Sequence, residues 1–215
     1  MEIIQLLMIS TAIIAVMTTY RMQEEKNSDG ENPLILKVKV FIPLSASVLF
    51  IAGFYLLLRL EIPTVFIGKL LGLLGILMIA SYHDYRSHRI PNTLILFALG
   101  LRFILYLIEL LLYPEFIMEI FLGDLVGMIF AGGIFLIAGL ISKGSIGMGD
   151  IKILGIMGLY QGFSGVIGSI FFTLLFTFFL SLALLLIKKK KRKSTIPFAP
   201  SMLVGTFLAI LLSGM

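Results

Sequence analysis

The sequence predicts an all-α integral membrane protein, a polytopic helical bundle of about eight transmembrane segments, with six to eight admissible. Three observations lead there. The chain of 215 residues is 59% hydrophobic and only 13% charged, with a mean hydropathy of +1.09. A soluble domain of this size does not have that balance. Its apolar runs mostly match the roughly 17–25 helical residues that cross a hydrocarbon core. Its basic residues gather in the short stretches between those runs.

The apolar runs fall, in order, at residues 2–20, 40–58, 64–82, 91–113, 120–142, 150–160, 166–187 and 197–213. The first lacks a basic leader region and a small-residue cleavage site, so it reads as a retained helix and not as a removed signal peptide. The second is followed by Arg59, Glu61 and Pro63, a polar break before the third. The fourth begins at Pro91. The sixth is too short to span alone; it is expected to extend through Gly162 or to pack where the membrane is thinned or hydrated. The eighth follows the run Lys188 to Lys193.

Basic residues set the expected orientation. Arg21, Lys26, Lys37, Lys39, Arg86, Arg89, Lys143 and Lys188 to Lys193 all fall in alternate loops, with Lys152 just inside the next segment. The positive-inside rule places these loops in the cytoplasm and both termini outside. Arg59, Lys69 and Arg102 are exceptions. The chain is expected to form a single membrane-embedded domain, 1–215, with a short cytoplasmic loop at 21–39 and a basic one at 188–196. The basic run reads as an anchor beside anionic lipid.

Composition also removes several kinds of chemistry. The absence of cysteine excludes disulfides, thiolate metal sites and a cysteine nucleophile. His83 and His88 are the only histidines, too few for a histidine-rich metal site. No metal and no cofactor is expected. The net charge of +5 sits at membrane boundaries, which points to the lipid bilayer and away from nucleic acid as a partner.

Two aspartates stand out, because an ionisable group beside hydrocarbon costs several kcal/mol unless solvated or paired. Asp84 follows the third segment and precedes Tyr85-Arg86-Ser87-His88-Arg89-Ile90-Pro91-Asn92. Asp150 closes Gly147-Met148-Gly149-Asp150 and opens the sixth segment. Two crossings lie between them, so parity brings both to the cytoplasmic boundary. Asp150 at a helix start meets free amides and the positive end of the helix dipole, whereas Asp84 at a helix end meets the negative one. Gly147 and Gly149 permit tight turns and close approach of a substrate chain. Two carboxyls sharing a proton can activate water for peptide hydrolysis.

Each feature also has a plainer account. Alone, Asp150 is as well explained as a helix N-cap, and Asp84 as a loop ion pair with Arg86 or Arg89. Lys152 suits a snorkelling role, or one of balancing charge near Asp150, as well as substrate contact. Asp124 reads as a solvated boundary residue. Arg102 and Glu109, two turns apart on one helix, read as facing a partner or the outer interface. Only Asp84 and Asp150 together favour catalysis.

The pair of motifs, with Ile196-Pro197-Phe198-Ala199-Pro200 after the basic loop, resembles the type IV prepilin peptidases, polytopic aspartyl proteases that include preflagellin peptidases. The resemblance runs from about Thr64 to the C-terminus. It implies that Asp84 and Asp150 are the catalytic pair and that Gly147, Gly149 and Lys152 shape the loop or contact substrate. It also implies a prepilin-like membrane substrate, cut between a short basic leader and an apolar helix at the cytoplasmic face. Many bacterial members carry a large domain with paired Cys-x-x-Cys motifs after the first helix, linked to N-methylation of the trimmed pilin. Here that position holds only about residues 21–39 and no cysteine, so a peptidase without its own methyltransferase is expected. The alternative is a small transporter or channel component that uses the boundary aspartates for ion coupling. A catalytically inactive assembly protein is a third possibility. The sequence does not set the oligomeric state.

Overall fold

The computed structural model describes residues 63–142, 146–186 and 197–213, all within the compact unit Gly53–Met215. The expected segments at 2–20 and 40–58, the loop at 21–39 and the basic loop at 188–196 lie outside the described residues. The described residues form helices without strands: α1 (Thr64–Ser87), α2 (Asn92–Leu112), α3 (Ile117–Ile141), α4 (Met148–Leu186) and α5 (Ala199–Ser213). The remaining six expected segments fall on these five helices, two of them on α4. Helices α1 to α4 are long and apolar enough to cross a membrane, and α5 is a shorter apolar helix.

Prolines and a left-handed residue delimit the helices. Pro63 precedes α1, and Pro91 stands at the N-cap of α2. His88 ends α1 in the left-handed conformation (φ 50°), its amide donating to the Asp84 carbonyl. Thus α1 continues beyond the expected end at 82 and carries Asp84 in its last turns. Pro114 lies in the turn between α2 and α3. Pro200 occupies the first turn of α5, where a missing N–H leaves no intrahelical bond unmade.

α4 has two limbs, 148–161 and 163–186, with Gly162 between them at φ 69° and ψ −177°. Only glycine adopts that backbone geometry freely. A Cβ on Gly168 would lie 3.7 Å from Ala209 Cβ, and one on Gly205 would lie 2.3 Å from Thr173 Oγ1. The second limb therefore runs antiparallel to α5. The first limb runs antiparallel to α3, through the successive approaches Gly127 to Gly158, Gly132 to Gly155 and Gly139 to Ile151.

These glycines account for much of the assembly. Between helices in lipid the hydrophobic effect gives little drive, so close backbone packing matters more. A Cβ on Gly158 would sit 2.2 Å from the Gly127 carbonyl oxygen, a distance only glycine permits. Around this seam Leu73, Leu77, Leu154, Met157, Tyr160 and Met202 form the core. The outer faces remain apolar: Leu111, Leu140 and Ile141 are each more than two-thirds exposed. Apolar side chains at such positions suit lipid contact.

Candidate active site

The last turns of α1, the first turn of α4 and the start of α5 meet at one end of the bundle. Asp84 is buried there. Its Oδ2 accepts a hydrogen bond of 3.0 Å from the Ala199 amide. Ala199 is the first residue of α5, so this N–H is one of those a helix leaves free at its start. Asp150 lies in the first turn of α4, partly buried, and close enough to Asp84 for the two carboxyls to interact electrostatically. Asp84 does end a helix, as the sequence suggested. It also faces the N-terminus of a second helix, so both carboxyls lie beside helix starts, where negative charge is favoured.

The motif glycines have distinct roles. A Cβ on Gly147 would lie 3.0 Å from Asp150 Oδ2, so its absence leaves room for the carboxyl. A Cβ on Gly149 would lie 3.1 Å from Ile90 Cβ. Gly149 thus lets the start of α4 settle against the segment that follows Asp84. Lys152 Nζ donates to Asn92 Oδ1 at 2.8 Å, which joins the same two stretches a turn further on. Both are exposed, so Lys152 is tied to the first motif instead of simply lying along the interface.

The ion-pair account of Asp84 does not hold. Arg86 Nη1 donates to Tyr82 Oη at 3.2 Å, and among the described residues neither Arg86 nor Arg89 forms a salt bridge with Asp84. His83 packs edge-on against Tyr82. Phe198, preceding Ala199, packs near Phe135 of α3 with ring centroids 6.3 Å apart. The sequence marked the Pro-Phe-Ala-Pro stretch only by resemblance. Its amide contact with Asp84 is a backbone interaction, and no side-chain pattern announces it.

A second polar group lies toward the other end of the bundle. Asp124, expected as a solvated boundary residue, is 2% exposed. It accepts from Lys69 Nζ at 2.9 Å, from Tyr106 Oη at 3.1 Å and from Arg102 Nη2. Arg102 Nη2 also donates to Glu109 Oε2 at 2.9 Å, and its Nε to the Leu159 carbonyl at 3.3 Å. Arg102 and Glu109 therefore face inward, not toward a partner or the outer interface. Four charges of zero net sum offset one another, which is how charge is tolerated inside an apolar bundle, with Arg102 Nη1 left without a hydrogen-bond partner among the described residues. Their helical spacing gave no hint of this, because the partners come from three different helices. A separate apolar crevice of about 360 Å³ lies between α2 and α3, lined by Phe103, Tyr106, Leu110 and Phe121, beside this group and not at the aspartates.

Among the described residues no three His, Asp or Glu side chains cluster so as to hold a metal ion. The family model described as the type IV leader peptidase family matches residues 71–187, from the second turn of α1 to the end of α4, with both aspartates inside the match. No curated protein and no solved structure matches the chain. With that match covering more than half of its length, the chain belongs to the type IV leader peptidase family.

Proposed function

We propose that the protein is a membrane aspartic endopeptidase that removes the short basic leader of type IV prepilin-like proteins at the cytoplasmic membrane face. The observation that carries this reading is the convergence of Asp84, Asp150 and the Ala199 amide at one end of the bundle. Membership of the leader peptidase family gives the class of substrate. Arg86, Arg89 and Lys152 lie at the same end, and positive residues favour the cytoplasmic side. Both termini would then lie outside.

In the proposed reaction the pair holds one proton, and its titration belongs to the pair. The charged carboxyl takes a proton from a water molecule as the water oxygen attacks the scissile carbonyl carbon. The protonated carboxyl donates to the carbonyl oxygen, giving a neutral tetrahedral diol. On collapse the C–N bond breaks and the leaving amine takes a proton from the carboxyl that received it from water. One of the two diol hydroxyls returns its proton to the other carboxyl as its C=O reforms, which restores the pair and leaves a carboxylic acid product. No acyl-enzyme intermediate is needed. We further propose a single peptidase domain without methyltransferase activity.

Co-expression with a prepilin-like substrate tests this reading, with leader removal followed by gel shift. Asp84→Asn and Asp150→Asn should each abolish cleavage and leave a folded membrane protein. Cleavage surviving in both variants would overturn the mechanism.

A further inference from the structure

The first limb of α4 begins at Asp150 and ends at the buried charges. Gly162 breaks the helix, so the carbonyls of its preceding turn lose their usual i+4 amide partners. Arg102 Nε donates to one of these, the Leu159 carbonyl, at 3.3 Å. A guanidinium at a helix C-terminus is also favoured by the helix dipole. Arg102 itself is fixed from three sides: Glu109 and Asp124 accept from Nη2, and the Tyr106 ring lies under Cζ at 3.7 Å. Asp124 is held in turn by Lys69 of α1. Next to Leu159, Tyr160 Oη donates to the Ala98 carbonyl of α2 at 2.7 Å. The end of the limb remote from Asp150 is thus bonded to α2, and through Asp124 to α1 and α3.

We propose that Arg102 is a positioning residue for the reaction, setting the axial depth of Asp150 by holding the far end of its helix. This rests on the reading of Asp84 and Asp150 as the reacting pair. A single helical limb is stiff along its axis, so displacement at Leu159 is carried to Asp150. The glycine seam with α3 holds the limb by van der Waals contact, backbone against backbone at Gly127 and Gly158, with the Met128 and Ile151 side chains beside the other glycines. Arg102 supplies a directional bond where the seam supplies none. A displacement of about 1 Å between reacting groups can cost on the order of 100-fold in rate.

The test uses the full chain, which has no cysteine, so introduced cysteines are unique. Spin labels at Leu111→Cys and Met148→Cys occupy exposed positions at the C-terminal end of α2 and the start of α4. Pulsed dipolar distances and cleavage kinetics are then measured with Arg102 intact and as Arg102→Gln. The expected result is a shifted or broadened distance distribution. With it, kcat falls about 10- to 100-fold and KM changes by less than about threefold. Arg102→Lys should recover part of both losses. An arginine with a merely structural role would lower thermal stability without changing kcat of the folded protein. An unchanged distance, or a changed distance with unchanged kcat, overturns the proposal. Should Arg102→Gln fail to fold, Glu109→Gln removes one anchor of Arg102 and supplies the same comparison in milder form. If the unmutated chain cuts no prepilin-like substrate, the leader peptidase reading fails. The distances alone then decide whether Arg102 positions α4: a shift upholds that role and an unchanged distribution refutes it.

Discussion

Lys152 donates to Asn92 Oδ1 at 2.8 Å and joins two sequence motifs that stand sixty positions apart. One motif starts from Asp84 and the other runs from Gly147 through Asp150 to Lys152, so this bond lies between the chain stretches that carry the two carboxyls. The pair is exposed, where hydrogen bonds contribute modestly. Lys152→Ala and Asn92→Ala are each expected to lower cleavage about threefold to tenfold. The double variant should fall no further than the worse single one. Multiplicative losses in that double-mutant cycle would mean the two side chains act independently.

The Ala199 amide is accessible to mutation through proline. Proline is well accepted at the first position of a helix and lacks the N–H that Asp84 accepts. Ala199→Pro should leave the helix content of the purified protein intact while cleavage falls about tenfold, in line with loss of a hydrogen bond to a charged or proton-sharing group. Full activity in a folded Ala199→Pro protein would show that this amide is dispensable.

Gly149→Ala places a Cβ 3.1 Å from Ile90 Cβ, with Ile90 Cγ1 and Cδ1 at 3.5 and 3.6 Å. The start of α4 must then retreat from the segment after Asp84. Cleavage should drop about 10-fold or more, by the same sensitivity of rate to placement. Adding Ile90→Ala removes the two outer contacts and should restore part of the rate. A rate for the double variant below that of Gly149→Ala would argue against steric displacement as the cause.

Gly158→Ala and Gly75→Ala make a contrasting pair in α4 and α1. The first drives a methyl into the Gly127 backbone, whereas a Cβ on Gly75 meets nothing within 4 Å. Overpacking against backbone costs roughly 1–3 kcal/mol or more. Thermal denaturation in detergent should show Gly158→Ala clearly destabilised and Gly75→Ala close to the parent. Equal stability of the two would contradict the close approach of α3 and α4.

The helices and the aspartates were legible in the sequence because they depend on local signals. Apolar run length marked the six described segments, and parity placed Asp84 and Asp150 at one end. The glycine between segments six and seven was noticed, but its reversal of the chain depends on a backbone angle. The bonds around Asp124 were not legible. Lys69, Arg102, Glu109 and Asp124 come from α1, α2 and α3, and nothing in their spacing distinguishes an inward from an outward charge. The same applies to Ala199, whose contribution is an amide that every non-proline residue possesses.

The limb of α4 from Met148 to Gln161 rises about 21 Å before Gly162 turns it, at roughly 1.5 Å per residue. A typical hydrocarbon core is about 30 Å thick. The limb is shielded from that hydrocarbon by the rest of the bundle, since Ile153, Leu154, Met157 and Tyr160 are fully buried. A helix that stops short of a full crossing is therefore tolerated, because its broken end meets protein donors such as Arg102 and not acyl chains. The reach of the helix that carries Asp150 is thus set by the bundle and not by the thickness of the host membrane.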